Sequence, residues 1–359
     1  MLDTRRINST LAMSLISKLS ARLQNHPKRV VFAEGEDLRI IQAARQFASQ
    51  KLGAPILVGD RQRIKITAAK NNISLNDIRV IEPERSDELS NFAEKIASIQ
   101  RYGNVNLQGD PASLAKQRNY FACLLVATGG ADALVSGATL HASSGLRAIL
   151  QIIPRQAGVD TVSSMLILES PNKTLGQDGV LFLADCGVIP EPTVEQLAAI
   201  AVTTAGLAGH LTNTEPKVAM LAYSTHTDNA RLASVKKVQA ATELAKRLAR
   251  ELSVNAQIDG EMQADAALNP FAATAKEVKG SVAGKACVLV FPDLNAGNIA
   301  SKMAQIVAGV PAYGQILTGL DRPAGEISRG ASTQDIFGTA VIVAAQSVDK
   351  SFLYPKLKD

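Results

Sequence analysis

A chain of 359 residues with 46% hydrophobic and 20% charged residues holds more apolar material than one ordinary core, since single cores stop growing near roughly 250–300 residues; this implies two domains and argues against disorder. Aromatic residues make up only 4% with no Trp, so an aromatic nucleic-acid platform is excluded, and the net charge of +5, spread without a dense Lys/Arg block, is a weak pointer to an anionic, phosphorylated ligand. The mean hydropathy of +0.07 contains no apolar run near the roughly 20 residues that cross a bilayer, and the start lacks a secretory signal pattern.

Residues 4–33 carry Arg5, Arg6, Lys18, Arg22 and several serines but no acid, as a mitochondrial transit peptide would. The stretch runs straight into the apolar run Val30–Phe32, so we read it as a first helix before a first strand. A helix is expected after Glu36, a strand over Ile56–Val58 followed by a helix, and a strand over Ala133–Val135 followed by a helix around Leu146. Further strands are read in the runs ending at Leu168, Asp185, Tyr223 and Phe291. Thr193 and Gln196, just after Pro190 and Pro192, form a capping-box pattern that starts a helix. The longest predicted helix spans about Ala230 to Leu252, where Leu232, Val235, Val238, Ala241, Ala245, Leu248 and Leu252 share one face. This rhythm is that of an α/β protein, with aliphatic strands suited to a parallel sheet covered on both faces.

Ligands of open α/β sheets bind beyond the carboxyl ends of strands, so polar clusters that follow apolar runs are the candidate sites. Five stand out: Val135–Arg147, Leu183–Thr193, Ala222–Arg231, Phe291–Asn298 and Leu317–Ser332. Taken singly, each reads equally as loop and cap residues. The last is richer: Ser328, Arg329 and Gly330 lead into Ser332 and Asp335 at a helix start, joining a hydroxyl, a guanidinium, backbone N–H groups and a carboxylate. A guanidinium grips two phosphoryl oxygens at once and a helix N-terminus favours negative charge, so this combination suits phosphate.

The segments GGADALVSGA (129–138), LADCGVIPEPT (183–193), STHTDNARLASVKKV (224–238), DGEMQADAAL (259–268), FPDLNAGNIASK (291–302) and SRGAS (328–332), in this order, resemble the phosphate acetyltransferase family, within the wider phosphate acetyl/butyryltransferase group. The resemblance covers the chain from about Met13. It implies two α/β/α domains with a cleft between them, like isocitrate and isopropylmalate dehydrogenases: residues 1–165 plus 313–359 form the first, and 166–312 form an inserted second. It also implies reversible acetyl transfer between acetyl phosphate and coenzyme A, with coenzyme A as substrate and no bound cofactor, and a homodimer; the cysteine usage suits a cytoplasmic setting, and the composition points to neither nucleic-acid nor membrane partners. Ser328, Arg329 and Asp335 fall at the family's catalytic serine, arginine and aspartate. Ser136, Arg147, Ser224, Thr225, Asn295, Asn298 and Lys302 fall at substrate-binding positions. Ser224-Thr225-His226-Thr227 departs from the family's usual Ser-Thr-Lys-Gly, so no phosphate contact is expected of His226.

The chemistry so implied has Asp335 take the thiol proton, sulfur attack the acyl carbonyl, Ser328 hydrogen-bond the developing oxyanion and Arg329 hold the departing phosphate. Asp335 then needs desolvation to serve as a base. Alternatives are a propionyl- or butyryl-specific enzyme and a non-catalytic ligand-sensing homologue. A dinucleotide-dependent dehydrogenase is disfavoured, because no GxGxxG turn follows a strand. Asp185, Glu261, Asp265 and Asp293 form no recognised ligand spacing, and His141, His210 and His226 stand apart, so no metal site is expected. Cys123, Cys186 and Cys287 show no CxxC pairing, as suits a reducing compartment; Cys186 is open to two readings, a covalent acyl carrier or a buried structural thiol.

Overall fold

The alternating runs fold as strands and helices in the expected rhythm, seen in a computed structural model that describes residues 13–103, 105–139, 142–228 and 231–349. The first half contains α1 (Leu15–Asn25), β1 (Lys28–Phe32), α2 (Leu38–Ser49), β2 (Gly53–Val58), α3 (Arg61–Lys70), β3 (Arg79–Ile81), α4 (Leu89–Tyr102), α5 (Pro111–Lys116), α6 (Arg118–Ala127), β4 (Ala133–Ser136) and α7 (Ala142–Ile152). Then follow β5 (Ser163–Glu169), β6 (Val180–Ala184), α8 (Val194–Thr212), β7 (Lys217–Leu221), α9 (Ala233–Glu251), β8 (Gln257–Met262), α10 (Ala264–Leu268), α11 (Pro270–Ala275), β9 (Val288–Val290) and α12 (Leu294–Ala308). The chain closes with β10 (Ala312–Thr318), β11 (Ala324–Glu326) and α13 (Thr333–Gln346).

All the strands join one sheet in the order β3-β2-β1-β4-β11-β10-β5-β6-β9-β7-β8. Neighbours are parallel from β3 to β11 and again from β6 to β8. Between these blocks, β10 is antiparallel to both β11 and β5, and β5 is antiparallel to β6, so the two parallel blocks run in opposite senses along one sheet. Every residue of β5 and β6 is buried, because helices cover both faces there. The seam is closed at one end by the buried Ser163 and Thr318 hydroxyls, 2.8 Å apart. The sequence-derived domain borders fall inside β5 and at the start of β10.

Side-chain caps set several helix starts. Thr193 and Gln196 make the expected capping box of α8, and Asp293 caps α12 by accepting from Ala296 N–H. Helix α9 begins at Ala233 rather than Ala230, which lies outside the described residues. Its expected face buries Val235, Val238, Ala241 and Ala245, whereas Leu232 and Leu252, at its two ends, remain exposed. Residues 1–12 of the basic N-terminal stretch also lie outside the description; the remainder forms α1 and leads into β1 as expected.

Helix α13 occupies the centre of one core, where Ile336 to Gln346 are all buried, and packs on α1, α2, β4 and β10. Gly338 permits this, because a Cβ there would collide with the ring of Tyr313 on β10. The Tyr313 hydroxyl donates to Glu169 Oε2 at 3.3 Å, while Glu169 Oε1 accepts from Leu15 N–H at 2.8 Å, tying α1 to the seam. Burying a large aliphatic or aromatic side chain contributes about 1.5–3 kcal/mol, so α13 anchors the loop that precedes it.

Candidate functional site

A cavity of about 530 Å³ opens over the seam. Its floor is made by Ser164 and Leu166 of β5 and by Gly314, Gln315 and Leu317 of β10. One wall comes from the carboxyl ends of β4 and β11, with Gly137 and residues 326–331. The other wall comes from the opposite block: Cys186, Gly187 and Val188 follow β6, and Asn298, Ser301, Lys302 and Gln305 belong to α12. Both walls are built from residues that follow strand ends, the first after β4 and β11 and the second after β6 and β9.

Ser328, Arg329 and Gly330 are exposed on a short loop between β11 and α13. Three contacts hold the loop in shape. Gly330 N–H donates to Ser328 Oγ at 3.3 Å, Ala331 N–H to Ser328 C=O at 2.9 Å, and Ile327 N–H to Ser136 C=O at 2.7 Å. Arg39, at the start of α2, acts as a fork beneath it, donating to the carbonyls of Arg329 at 2.7 Å, Ala331 at 2.9 Å and Ala138 at 3.0 Å. Asp37 orients that guanidinium from the other side, at 3.1 Å from Nε and 2.8 Å from Nη2. Burial opposes ionisation of Asp37, but its bonds with Arg39 hold its carboxyl below the usual range.

Asp335 is the third residue of α13 and half-buried behind the loop. Its Oδ2 accepts from Ser332 N–H at 2.9 Å and from Ser332 Oγ at 2.7 Å, and its Oδ1 accepts from Ala312 N–H at 3.1 Å. In return Ser332 Oγ accepts from Asp335 N–H, completing a capping box. These three bonds leave one lone pair of Oδ1 open to a proton, and the carboxylate stands next to the cavity through Ala312 rather than in its lining.

Of the residues expected from sequence, the cavity unites Ser328, Arg329, Asn298 and Lys302. Asn298 Nδ2 donates to Cys186 C=O at 3.0 Å, fixing α12 to the loop after β6, while Lys302 is exposed. Ser136 is buried just beneath the lining, next to Gly137. Arg147 and Asn295 sit on α7 and α12 but do not line the cavity. Ser224 and Thr225 follow β7, three strands from the seam, where Ser224 Oγ donates to Glu261 Oε1 at 3.2 Å and Thr225 Oγ1 to Gln263 Oε1 at 3.3 Å.

Cys186 faces the cavity yet is fully buried, and its thiol donates to Leu183 C=O at 3.3 Å. Burial pushes it up to about 12, which favours the structural reading over that of an acyl carrier. The acids weighed as metal ligands serve other ends. Asp185 accepts from Ser164, Gly187, Val188 and Ile189, Asp265 pairs with Lys276 at 2.6 Å, and Glu261 accepts from Thr227 N–H at 2.7 Å. Among the described residues no group of three or more His, Cys, Asp and Glu is placed to hold a metal; His141 lies outside them.

Sequence reasoning missed Glu326 and Arg39. Glu326 is 6% exposed, lines the cavity two residues before Ser328, and neither carboxyl oxygen makes a well-formed hydrogen bond. Arg39 looked like an ordinary polar position on an amphipathic helix.

Residues 14–344 match the family described as phosphate acetyl/butaryl transferase. A phosphate acetyltransferase of Acetivibrio thermocellus is 36% identical over 335 residues, 93% of this chain and 98% of that one. A phosphotransacetylase structure from Streptococcus pyogenes is 34% identical and superposes with a TM-score of 0.82, covering 93% of this chain and 98% of that one. A Salmonella typhimurium chain assigned as a 4-hydroxythreonine-4-phosphate dehydrogenase, 12% identical with a TM-score of 0.52 over 89% of this chain and 99% of its own, shares the fold alone.

Proposed function

From the premise that the chain belongs to the phosphate acetyl/butaryl transferase family, and so is an acyltransferase, we propose that it interconverts acetyl-CoA and phosphate with acetyl phosphate and coenzyme A. The observation that carries this reading is the meeting of Ser328 and Arg329 on one wall with Asn298 and Lys302 on the other, across about 530 Å³. Arg329 binds the phosphoryl group, Lys302 attracts the anionic coenzyme, and Ser328 donates to the oxyanion as sulfur attacks the carbonyl. A free thiol of pKa about 8.5 is only a few per cent ionised at neutral pH, so a base speeds the attack. Asp335 takes that proton on the lone pair of Oδ1 that the Ala312 N–H leaves open. Transfer is direct, without an acyl-enzyme, which the buried hydrogen-bonded Cys186 supports.

Two α/β/α lobes, 1–165 with 313–359 and the inserted 166–312, flank the site in this reading. A homodimer is supported by the outer face of α12, where Ile299 (58%), Met303 (59%) and Val307 (82%) stand exposed together. A cytoplasmic setting is supported by three buried free cysteines; no helix among the described residues is long and apolar enough to cross a membrane.

The test is thioester formation by purified protein from coenzyme A and acetyl phosphate with EDTA present, compared with propionyl and butyryl phosphates. Fast turnover of acetyl phosphate is expected. Preference for a longer chain would change the substrate assignment, and no turnover with any of them would overturn the reading.

A further inference from the structure

Acyl transfer from acetyl phosphate to a thiol has two proton problems. The thiol must lose one, and the phosphate, if it departs unprotonated, leaves as a strongly basic trianion. Asp335 addresses the first. Nothing in the expected serine, arginine and aspartate set addresses the second, because arginine stays charged at working pH and cannot give up its proton.

Glu326 is the one carboxyl among the described residues that line the cavity. It ends β11, stands two residues before Ser328, and neither oxygen makes a well-formed hydrogen bond, the nearby Ser136 hydroxyl acting on it only weakly. Its surroundings are shaped to admit it. The backbones of Gly137 and Gly145 approach so closely that a Cβ on Gly137 would sit 2.9 Å from Glu326 Oε1, and one on Gly145 2.8 Å from Oε2. The titratable groups facing it are Glu34, after β1, and the Cys123 thiol on α6; β4 contributes the neutral hydroxyl of Ser136. Glu34 Oε1 accepts from Gly137 N–H at 2.9 Å, and Arg39 acts on Glu34.

We propose that Glu326 is the acid that donates a proton to the departing phosphate oxygen, and the base that recovers it in the reverse direction. This rests on the acyl-transfer reading above. In the forward step the S–C bond forms and the C–O bond to phosphorus breaks. The thiol proton goes to Asp335, the Glu326 proton goes to the phosphate oxygen to give hydrogen phosphate, and solvent returns a proton from Asp335 to Glu326 between turnovers. The protonation state agrees with the geometry. Burial, reinforced by Glu34, pushes the Glu326 carboxyl up to about 8, against a smaller opposing effect of the Ser136 hydroxyl, so it carries its proton at neutral pH.

Since the forward step needs Glu326 protonated, its kcat falls as pH rises through about 8, whereas phosphorolysis of acetyl-CoA rises over the same range. Glu326→Gln keeps a hydrogen-bond donor but cannot transfer a proton. It should lower kcat about 10²-fold or more, leave both KM values within about twofold, and abolish these opposed pH limbs. Glu326→Asp should keep the limbs with a moved midpoint. Wild-type kcat and pH limbs in Glu326→Gln would overturn the proposal, as would loss of the limbs in Glu326→Asp. Infrared detection of the protonated carboxyl in the wild-type protein is independent of any variant's folding. The band is expected at neutral pH and lost through about 8, and its absence at neutral pH would also overturn the proposal. A wild-type protein inactive on every acyl phosphate would instead refute the reading on which the proposal rests.

Discussion

Replacing Arg39 with alanine probes whether the site loop is held in place from below. The substitution removes donors to three carbonyls, of which those of Ala331 and Ala138 are partly buried and that of Arg329 is exposed. At about 0.5–1.5 kcal/mol net for each hydrogen bond, with water replacing the exposed one, the loss of stability comes to about 1–3 kcal/mol. The kinetic effect is separate. A site displaced by about 1 Å loses on the order of 10²-fold in rate, so kcat/KM for acetyl phosphate should fall by one to two orders of magnitude. Lysine should rescue little, since a compact ammonium cannot span both loops while also meeting Asp37. Urea unfolding supplies the first quantity and steady-state kinetics the second. If Arg39→Ala matched the parent in both, the loop would be held by α13 and its own turn, and the supporting role of α2 would be wrong.

Other changes separate the roles at the site. Asp335→Asn should lower kcat by about 10²–10⁴ and cost about 1–3 kcal/mol in urea unfolding, because asparagine still accepts from Ser332 but turns its own N–H against that of Ala312; unchanged turnover would remove Asp335 as the base. Arg329→Gln should raise KM for acetyl phosphate and slow the reaction, and steady-state values equal to those of the parent would take it out of the phosphate site. Gly145→Ala should push the Glu326 carboxyl aside and cost about 1–3 kcal/mol in urea unfolding; combined with Glu326→Gln its kinetic cost should not add, and an additive double mutant would break the link. Stability should also report on Glu326. A carboxyl raised from 4.5 to about 8 favours the fold most when protonated, so stability declines as pH rises across that window, by at most about 1.4 kcal/mol per pH unit. Glu326→Gln should lack that slope, and parallel curves would contradict it.

Much of the architecture was legible in local pattern. Val30–Phe32, Ala133–Val135 and the run ending at Leu168 are aliphatic enough to read as strands, and Thr193 with Gln196 announces α8 by its hydrogen-bonding chemistry. Strands β10 and β11 were not legible. Gly314 and Gln315 interrupt the first, and the second is three residues long beside Pro323, so pairing rather than propensity makes them strands. Ser328 and Arg329 could be found because they are adjacent and follow an apolar run. Arg39 reaches its acceptor carbonyls across 290 and 292 positions, and Glu326 acquires its character only when glycine backbones and Glu34 close around it. Arg147, Asn295, Ser224 and Thr225 came from resemblance alone, and the cavity lining does not include them.

The antiparallel seam also has a consequence for how the protein is made. Its two strands pair Ser163 with Thr318, groups separated by 155 positions, so the floor of the cavity consists of contacts that close late and over long range. A chain emerging from the ribosome can complete β1 to β4 and pack α2 against β2, but it has no floor until β10 arrives, and no Ser328 or Arg329 until after that. The binding surface therefore matures at the end of synthesis, and a prematurely terminated chain carries an unpaired β5 edge in place of a partial active site.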